Sequence, residues 1–276
     1  MYTFEGICHR QIMIPYLHLG PLTVPTFGLM VALALISSAY ILQADFDRRG
    51  FNTNVPISPG FPNFLLDAFT MITVAGLMGI VGAKLYHLLE SPSEFFANPF
   101  GLFFTRTGFA WFGGFLGGFG TMVFLGVRAR LPFREFLDAC SPAAAVGYGI
   151  GRIGCLLSGD GDYGKPTSLP WGMSFPDGIV PTTERVHPAP LYEFLIWCAI
   201  GVVLWKLGSK VKKGVKTQGE IFAYYLLLTG AARFLVEIIR INPPWILGMS
   251  NAQVASGVSV LIGIVLLLKW RKSSTE

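Results

Sequence analysis

The chain has 276 residues, of which 52% are hydrophobic and 13% are charged, and its formal net charge is +5. A soluble domain contains about 25% charged residues. This composition and the mean hydropathy of +0.55 therefore exclude an ordinary soluble protein and favour a polytopic membrane protein. The basic residues are spread over short stretches between apolar segments, so the positive charge does not indicate a nucleic-acid-binding protein.

The N-terminal stretch MYTFEGICHRQIMIPYLHLGPL has no cationic region followed by a compact apolar core and a small-residue cleavage site. We therefore predict no cleavable signal peptide. The four cysteines show no CxxC or Cys/His spacing. Neither a metal site nor a disulfide framework is predicted from them.

Seven segments are apolar over about the 20 residues that a helix needs to cross a bilayer core. In chain order they are 24–44, 63–90, 109–127, 136–157, 190–208, 219–240 and 248–270. The fourth is the least hydrophobic because it contains glycines and Arg152. The pattern predicts an all-α integral membrane protein of about seven transmembrane helices, in a single polytopic domain over 1–276.

The loops between these segments alternate in basic charge. One alternate set, counted together with Lys206 and Lys269 at the ends of the fifth and seventh segments, holds thirteen Lys and Arg residues. The other set holds only Arg10, Arg106, Lys165 and Arg185. Because basic residues accumulate in cytoplasmic loops, we expect the N-terminus outside and the C-terminus in the cytoplasm. Segment 158–189 then lies on the outer, periplasmic face, and its prolines favour a turn-rich, folded cap rather than a helix.

The third and fourth segments are rich in glycine. Small-residue pairs four positions apart occur at Gly113/Gly117 and Gly114/Gly118, and the fourth segment carries Gly147, Gly151 and Gly154. Such glycines let helix backbones approach closely and pack by van der Waals contact. Alternatively, they open a crevice into which a lipid headgroup fits.

Ionisable side chains inside the segments indicate a binding site, because each is costly in a bilayer and faces the bundle interior. Arg233, Glu237 and Arg240 share one helix face at spacings i, i+4 and i+7. Glu237 can neutralise one arginine, and Arg152 adds a third cation with no second deep carboxylate to match it. Since guanidinium groups bind phosphate oxygens bidentately, we predict a net positive site for an anionic lipid, rather than a simple buried ion pair.

The stretch GRIGCLLSGDGDYGKPTSLPWG (151–172) resembles the signature of the bacterial prolipoprotein diacylglyceryl transferases. Further segments are similar to other family motifs in the same order: HLGPLTVPTFGLM (18–30), HPAPLYE (187–193), GAARFLVEIIR (230–240) and MSNAQVAS (249–256). The resemblance implies a multi-pass protein of the bacterial cytoplasmic (inner) membrane. It implies transfer of a diacylglyceryl group from phosphatidylglycerol to the lipobox cysteine thiol of a prolipoprotein, with no metal or organic cofactor.

Carried over to this chain, the resemblance gives roles to particular residues. Arg152 and Arg233 hold the lipid phosphate, Arg240 lines the opening of the site and Glu237 positions an arginine. Asp160 stands where the family has glutamate, but GDGDYGK is one residue longer than the usual spacing, so Asp162 is the alternative equivalent. Either aspartate would orient the cap or the incoming peptide. The remaining matches to the family are Gly154, Gly164, His187, Tyr192 and Glu193. Of these, Gly154, His187 and Tyr192 are expected to bind substrate.

The chain also departs from the family's pattern. Phe112 replaces a histidine of the third segment that is the family's proposed base, and Phe27 replaces a tyrosine. Further replacements are Cys155 and Ser158 for asparagines and Thr229 for a tyrosine. The base would then be Asp160, Asp162 or Glu237. The alternatives are a paralogue that transfers a lipid group to another acceptor and a non-catalytic protein that binds anionic lipid.

Overall fold

The computed structural model describes residues 13–51, 67–90, 92, 110–212 and 218–272. Within them the helices are α1 Thr26–Arg49, α2 Ala68–Glu90, α3 Trp111–Arg128, α4 Phe133–Ser158, α5 Ala189–Lys212, α6 Glu220–Ile239 and α7 Asn251–Lys272. Two antiparallel hairpins accompany them, β1 Tyr16–Leu19 with β2 Leu22–Pro25, and β3 Met173–Phe175 with β4 Thr182–Val186. Each helix corresponds to one predicted segment.

Five helices are long and apolar enough to cross a membrane, namely α1, α2, α5, α6 and α7. We predicted that all seven segments are long and apolar enough to cross a membrane, and five of the described helices are. Helix α3 has only 18 residues, which is about 27 Å at 1.5 Å per residue. Helix α4 is 26 residues long but carries several charges and glycines. The N-terminal stretch 1–12 and the predicted start of the second segment at 63–66 lie outside the described residues.

The chain forms two compact units, one made of residues 1–38 and 137–276 and the other of residues 39–136. In the second unit, α2 and α3 pack antiparallel through their glycines. A Cβ atom on Gly113 would lie 2.2 Å from the Gly82 carbonyl oxygen, and one on Gly117 would lie 2.3 Å from that of Met78. These distances leave no room for any side chain, so the packing interpretation of the third segment is confirmed.

The first unit contains α4, α5, α6 and α7. Helices α4 and α5 run antiparallel, because Gly149 packs against Cys198 while Gly201, further along α5, packs against Val146 earlier in α4. The apolar core of this unit lies between α4, α5 and α6, around Ala145, Trp197, Ile200, Leu204, Ile221 and Ala232.

The fully buried Asp138 of α4 fixes the start of α6. Its carboxylate accepts the backbone N–H of Gly219 at 2.8 Å and that of Phe222 at 2.9 Å. The first N–H groups of a helix have no partner within the helix, and Gly219 has no side chain to cap them. Asp138 therefore supplies the cap from a neighbouring helix, which sets the position of α6 along α4.

The predicted cap segment 158–189 begins with the last residue of α4 and ends with the first residue of α5. Between them the cap, residues 159–188, contains no helix, in agreement with the prediction of a turn-rich fold. It is held to the ends of α4 and α6 by backbone hydrogen bonds. The N–H of Ile179 donates to the Ser158 carbonyl at 2.9 Å, and that of Lys165 donates to the Ile239 carbonyl at 2.8 Å. The Lys165 ammonium also donates to the Ile238 carbonyl at 2.8 Å. The cap thus covers the ends of α4 and α6.

We expect Gly117→Ala to destabilise the α2–α3 contact, because the new methyl group would overlap the Met78 backbone. Overpacking of this kind costs about 1–3 kcal/mol, measurable by thermal unfolding in detergent micelles. Gly120→Ala is the matched control, since a Cβ atom at Gly120 of the same helix has no neighbour within 4 Å. Equal melting temperatures for the two variants would contradict the close contact.

Candidate functional site

Three arginines meet at one end of the first unit. Arg152 lies in the last two turns of α4, Arg233 lies in the second half of α6, and Arg240 follows directly after α6. Arg240 has an extended backbone, with φ −79° and ψ 160°. It therefore ends the helix rather than continuing its face, although the prediction placed it inside the sixth span.

Glu193 joins two of these arginines. It lies in the second turn of α5 and its side chain is fully buried. One carboxylate oxygen, Oε2, accepts Arg152 Nε at 2.5 Å, and the other, Oε1, accepts Arg233 Nη1 at 2.7 Å. The Tyr148 hydroxyl donates to Oε1 at 3.3 Å. The prediction that no second deep carboxylate faces the arginines is therefore wrong.

Glu193 could have been found from the sequence. It is the only acidic residue in the predicted segment 190–208 and it ends the motif HPAPLYE. An isolated carboxylate inside an apolar span requires a cationic partner. The spare arginines of the fourth and sixth segments were the available partners.

Asp162 of the cap joins Arg152 to Arg240. Oδ2 accepts Arg152 Nη1 at 2.5 Å, Oδ1 accepts Arg240 Nη2 at 2.5 Å, and the backbone carbonyl accepts Arg240 Nη1 at 3.1 Å. Burial alone would raise the pKa of this carboxyl, but the two guanidinium groups lower it to about 2. Its stabilising contribution is therefore complete above the ordinary aspartate pKa of about 3.9 and is lost as the pH falls toward 2.

Glu237 provides the third carboxylate and fixes Arg233. Its Oε2 lies 3.0 Å from Arg233 Nη2, one helical turn away. Its Oε1 accepts hydrogen bonds from the Ser250 hydroxyl at 2.7 Å and from the Asn242 side-chain amide. The ion pair between Glu237 and Arg233 agrees with the prediction that Glu237 neutralises one arginine of its own helix.

Three arginines and three carboxylates thus balance one another in formal charge, so the predicted net positive stripe is wrong. Two guanidinium donors of these three arginines nevertheless remain without a hydrogen-bond partner among the described residues, and both are buried. They are Arg152 Nη2 and Arg240 Nε. The nearest carboxylate oxygen to Arg240 Nε is Glu237 Oε2, 3.7 Å away. Buried donors without a partner can bind an additional anion that accepts their hydrogen bonds.

Asp160 lies beside this cluster. Its carboxylate accepts the backbone N–H of Asp162 at 3.2 Å and a hydrogen bond from the Cys155 thiol. Burial raises its pKa above the ordinary aspartate value, although the bond from Cys155 acts in the opposite direction. One atom each of Cys155, Asp160 and Asp162 lies within 4.8 Å of the others. The arginines on Asp162 would repel a cation there, so we assign no metal to the group.

The remaining predicted substrate residues lie around the arginines rather than among them. A Cβ atom on Gly154 would lie 3.1 Å from the Phe27 ring and 3.2 Å from Met30 Cβ. The lack of a side chain at Gly154 therefore allows α1 to pack closely against α4. His187 and Tyr192 are 3.3 Å apart between Nδ1 and the hydroxyl oxygen, and Trp171 Nε1 donates to that hydroxyl at 2.9 Å.

The residues that depart from the family's pattern have ordinary partners. The Cys155 sulfur lies 3.1 Å from Arg152 Nη1. The Ser158 hydroxyl donates to the Cys155 carbonyl at 3.2 Å, and that of Thr229 donates to the Tyr225 carbonyl at 2.6 Å. Phe112 belongs to the second unit, where its ring centroid is 6.4 Å from that of Tyr86.

We expect Glu193→Gln to destabilise the protein strongly, because it leaves Arg152 and Arg233 buried with less negative charge. Removing one member of a buried ion pair costs about 3–5 kcal/mol, which denaturant unfolding in detergent would measure. Glu184→Gln removes the same charge from an exposed position of the cap and should be neutral. A Glu193→Gln variant as stable as Glu184→Gln would show that the network contributes little.

Comparison with known proteins identifies the family. The chain matches the family described as prolipoprotein diacylglyceryl transferase over residues 15–269. The phosphatidylglycerol–prolipoprotein diacylglyceryl transferase of Clostridium tetani is 28% identical over 86% of this chain and 90% of its own length. Those of Leifsonia xyli and Bordetella bronchiseptica are each 31% identical, over 93% and 94% of this chain and 77% and 93% of their own lengths. The resemblance inferred from the motifs is thereby confirmed, and the chain belongs to the prolipoprotein diacylglyceryl transferase family.

Proposed function

We propose that this chain transfers the diacylglyceryl group of phosphatidylglycerol to the lipobox cysteine thiol of a prolipoprotein, the first step of bacterial lipoprotein maturation. The names of the relatives state this lipid and this protein substrate. The structural observation that supports the proposal is the arginine cluster, in which Arg152 Nη2 and Arg240 Nε are buried donors without a partner among the described residues.

The protein is a multi-pass membrane protein, and we place it in the bacterial cytoplasmic membrane as one polytopic domain. The N-terminus would lie outside and the C-terminus in the cytoplasm, because the cytoplasmic loops would then carry most of the basic residues. Segment 158–189 would face the periplasm, where both the outer-leaflet lipid and a translocated prolipoprotein are accessible.

The reaction joins the cysteine sulfur to a glyceryl carbon. As the C–S bond forms, the bond from that carbon to the phosphate oxygen breaks and its electrons remain on the oxygen. The products are a thioether-linked diacylglyceryl protein and glycerol phosphate, and the thiol proton passes to a base. Because the phosphate gains negative charge in the transition state, fixed cations around it lower the barrier.

Arg152, Arg233 and Arg240 supply those cations. Guanidinium groups stay charged at any physiological pH and present several donors to phosphate oxygens. Glu193 and Glu237 are almost wholly buried, and their ion pairs hold the arginines in place before the lipid binds. Such preorganisation avoids reorienting the guanidinium groups during the reaction.

Asp160 is the best supported base among the three carboxylates considered for that role. Glu237 is occupied by Arg233, Ser250 and Asn242, and Asp162 has a pKa of about 2, which makes it a weak base. Burial raises the pKa of Asp160, and no arginine of the described residues forms an ion pair with it, although the nearby Arg152 charge acts to lower that pKa. The thiol has an ordinary pKa near 8.5, so it needs a base or a lowered pKa to attack.

Gly154, His187 and Tyr192 would border the substrate without touching the phosphate. Gly154 brings α1 and its Phe27 close to α4. The His187 carbonyl accepts the Gly164 N–H at 2.8 Å, two residues beyond Asp162. His187 near the end of the cap and Tyr192 in the first turn of α5 would therefore border the incoming peptide.

Arg152→Lys should abolish transfer, because a single ammonium group lacks the separate, fixed donors with which the Arg152 guanidinium can contact Glu193 and a phosphate together. The assay supplies purified protein with phosphatidylglycerol and a lipobox peptide, and detects the thioether by mass spectrometry. The control is Arg271→Lys, which should retain activity. Arg271 lies at the C-terminal end of α7, whereas the arginine cluster lies near the N-terminal end of that helix, where Ser250 contacts Glu237. Tight lipid binding by the unsubstituted protein with no thioether product would favour the non-catalytic alternative.

We expect Asp160→Asn to lower kcat by about 10²–10⁴-fold, the usual contribution of a general base. The rate of the unsubstituted protein should rise with pH as Asp160 loses its proton, at a pH above the ordinary aspartate pKa because burial raises it. Asp160→Glu should restore part of the activity, and the rate of this variant should again rise with pH in the acidic range. An unchanged pH profile in Asp160→Asn would exclude Asp160 as the base.

A further inference from the structure

Asp162 differs from the other two carboxylates of the cluster in its burial and its support. Its side chain is 35% exposed, whereas those of Glu193 and Glu237 are 0% and 1% exposed. Both glutamates project from helices, but Asp162 lies in the cap after two glycines with positive φ, Gly159 at +57° and Gly161 at +93°. It is therefore the carboxylate that can leave the cluster with the least disruption.

The contacts of Asp162 are those expected of a phosphate. Its two oxygens each meet a different guanidinium group, Arg152 Nη1 and Arg240 Nη2, both at 2.5 Å. The two free oxygens of a phosphodiester form charge-assisted hydrogen bonds of the same kind with arginine. A lipid phosphate that binds both arginines fully would therefore compete with this aspartate for the same donors.

The charge of the cluster leads to the same conclusion. With Asp162 in place, the three arginines are balanced by three carboxylates. When Asp162 moves away, the three arginines and the two glutamates paired with them carry one net positive charge, which matches the single negative charge of a phosphodiester. Asp160 lies beside these ion pairs and is not counted among them. The two glutamates cannot leave in the same way, because a buried carboxylate separated from its partners is strongly unfavourable.

Protonation does not release Asp162 under physiological conditions. The neighbouring arginines lower its pKa to about 2, so it stays ionised at neutral pH. It must then be displaced by another anion, and its departure leaves Arg152 and Arg240 available to that anion.

We propose that Asp162 is an exchangeable counter-ion, which occupies the arginine pair until the phosphate of the lipid substrate replaces it. The proposal rests on the lipid-phosphate site of the proposed function. It makes Asp162 a determinant of substrate affinity, because the fraction of molecules with a vacated pair limits the apparent affinity for the lipid. It also explains how a charge-balanced cluster accepts an anion.

The test measures the Kd of short-chain dihexanoyl phosphatidylglycerol for the purified full-length protein in detergent. Asp162→Asn and Asp162→Ser remove the competing charge, so each should bind the lipid about five- to tenfold more tightly than the unsubstituted protein. Asp177→Asn is the matched control, since it removes the same charge from an exposed cap position, and its Kd should not change. Thermal unfolding identifies which of the two variants is folded.

A Kd that is unchanged or weaker in the folded Asp162 variants would overturn the proposal, because Asp162 would then support the arginines rather than compete for them. Dihexanoylglycerol, which has the same acyl chains and no phosphate, should bind equally to all variants. Tighter binding of both dihexanoyl phosphatidylglycerol and dihexanoylglycerol would also overturn the proposal, because the effect would then not depend on the phosphate.

Thioether formation, measured on the same preparations, keeps the two hypotheses separate. If the unsubstituted protein binds the lipid but forms no product, the proposed transferase function fails and the binding data still decide the role of Asp162. If it forms product while the Asp162 variants bind no more tightly, only the counter-ion proposal fails.

Discussion

Neutralisation of three clustered guanidinium groups by buried carboxylates is the constraint around which the first unit is built. Glu193 joins an arginine of α4 to one of α6. Each of these charges alone would be strongly unfavourable in an apolar bundle, whereas together they offset one another. Helices α4, α5 and α6 must therefore approach at this end in one register. The opposite end is fixed separately, because Asp138 of α4 caps the start of α6.

The same network determines what the site can do. Fully buried glutamates hold the arginines rigidly, which suits electrostatic stabilisation of a leaving phosphate. Rigidity alone would leave a charge-balanced cluster with no preference for an anion. The site needs both rigid cations and a preference for an anion. The ion pairs between helices provide the rigidity, and the partly exposed carboxylate of Asp162 in the cap provides a charge that can be exchanged.

The sequence was sufficient for the helices, the cations and the isolated carboxylate of Glu193, and insufficient to show how these charged side chains pair across different helices. Long apolar segments and the spacing of Arg233, Glu237 and Arg240 carry local information, so hydropathy and helical periodicity reveal them. Glu193 and Asp162 meet Arg152 only through tertiary packing, 41 and 10 residues away along the chain. Local patterns do not encode such pairings, and for this reason the predicted excess of positive charge was wrong.

The two anchors of the cap limit how far Asp162 must travel. The chain is held at Ser158 by Ile179 and at Ile238 and Ile239 by Lys165, so only a short stretch between these anchors is free to rearrange. Excursions of short loops take nanoseconds to microseconds, whereas collective domain movements take microseconds to milliseconds. Admission of a lipid headgroup would then require only a local excursion of the cap, and no large-scale opening of the helical bundle.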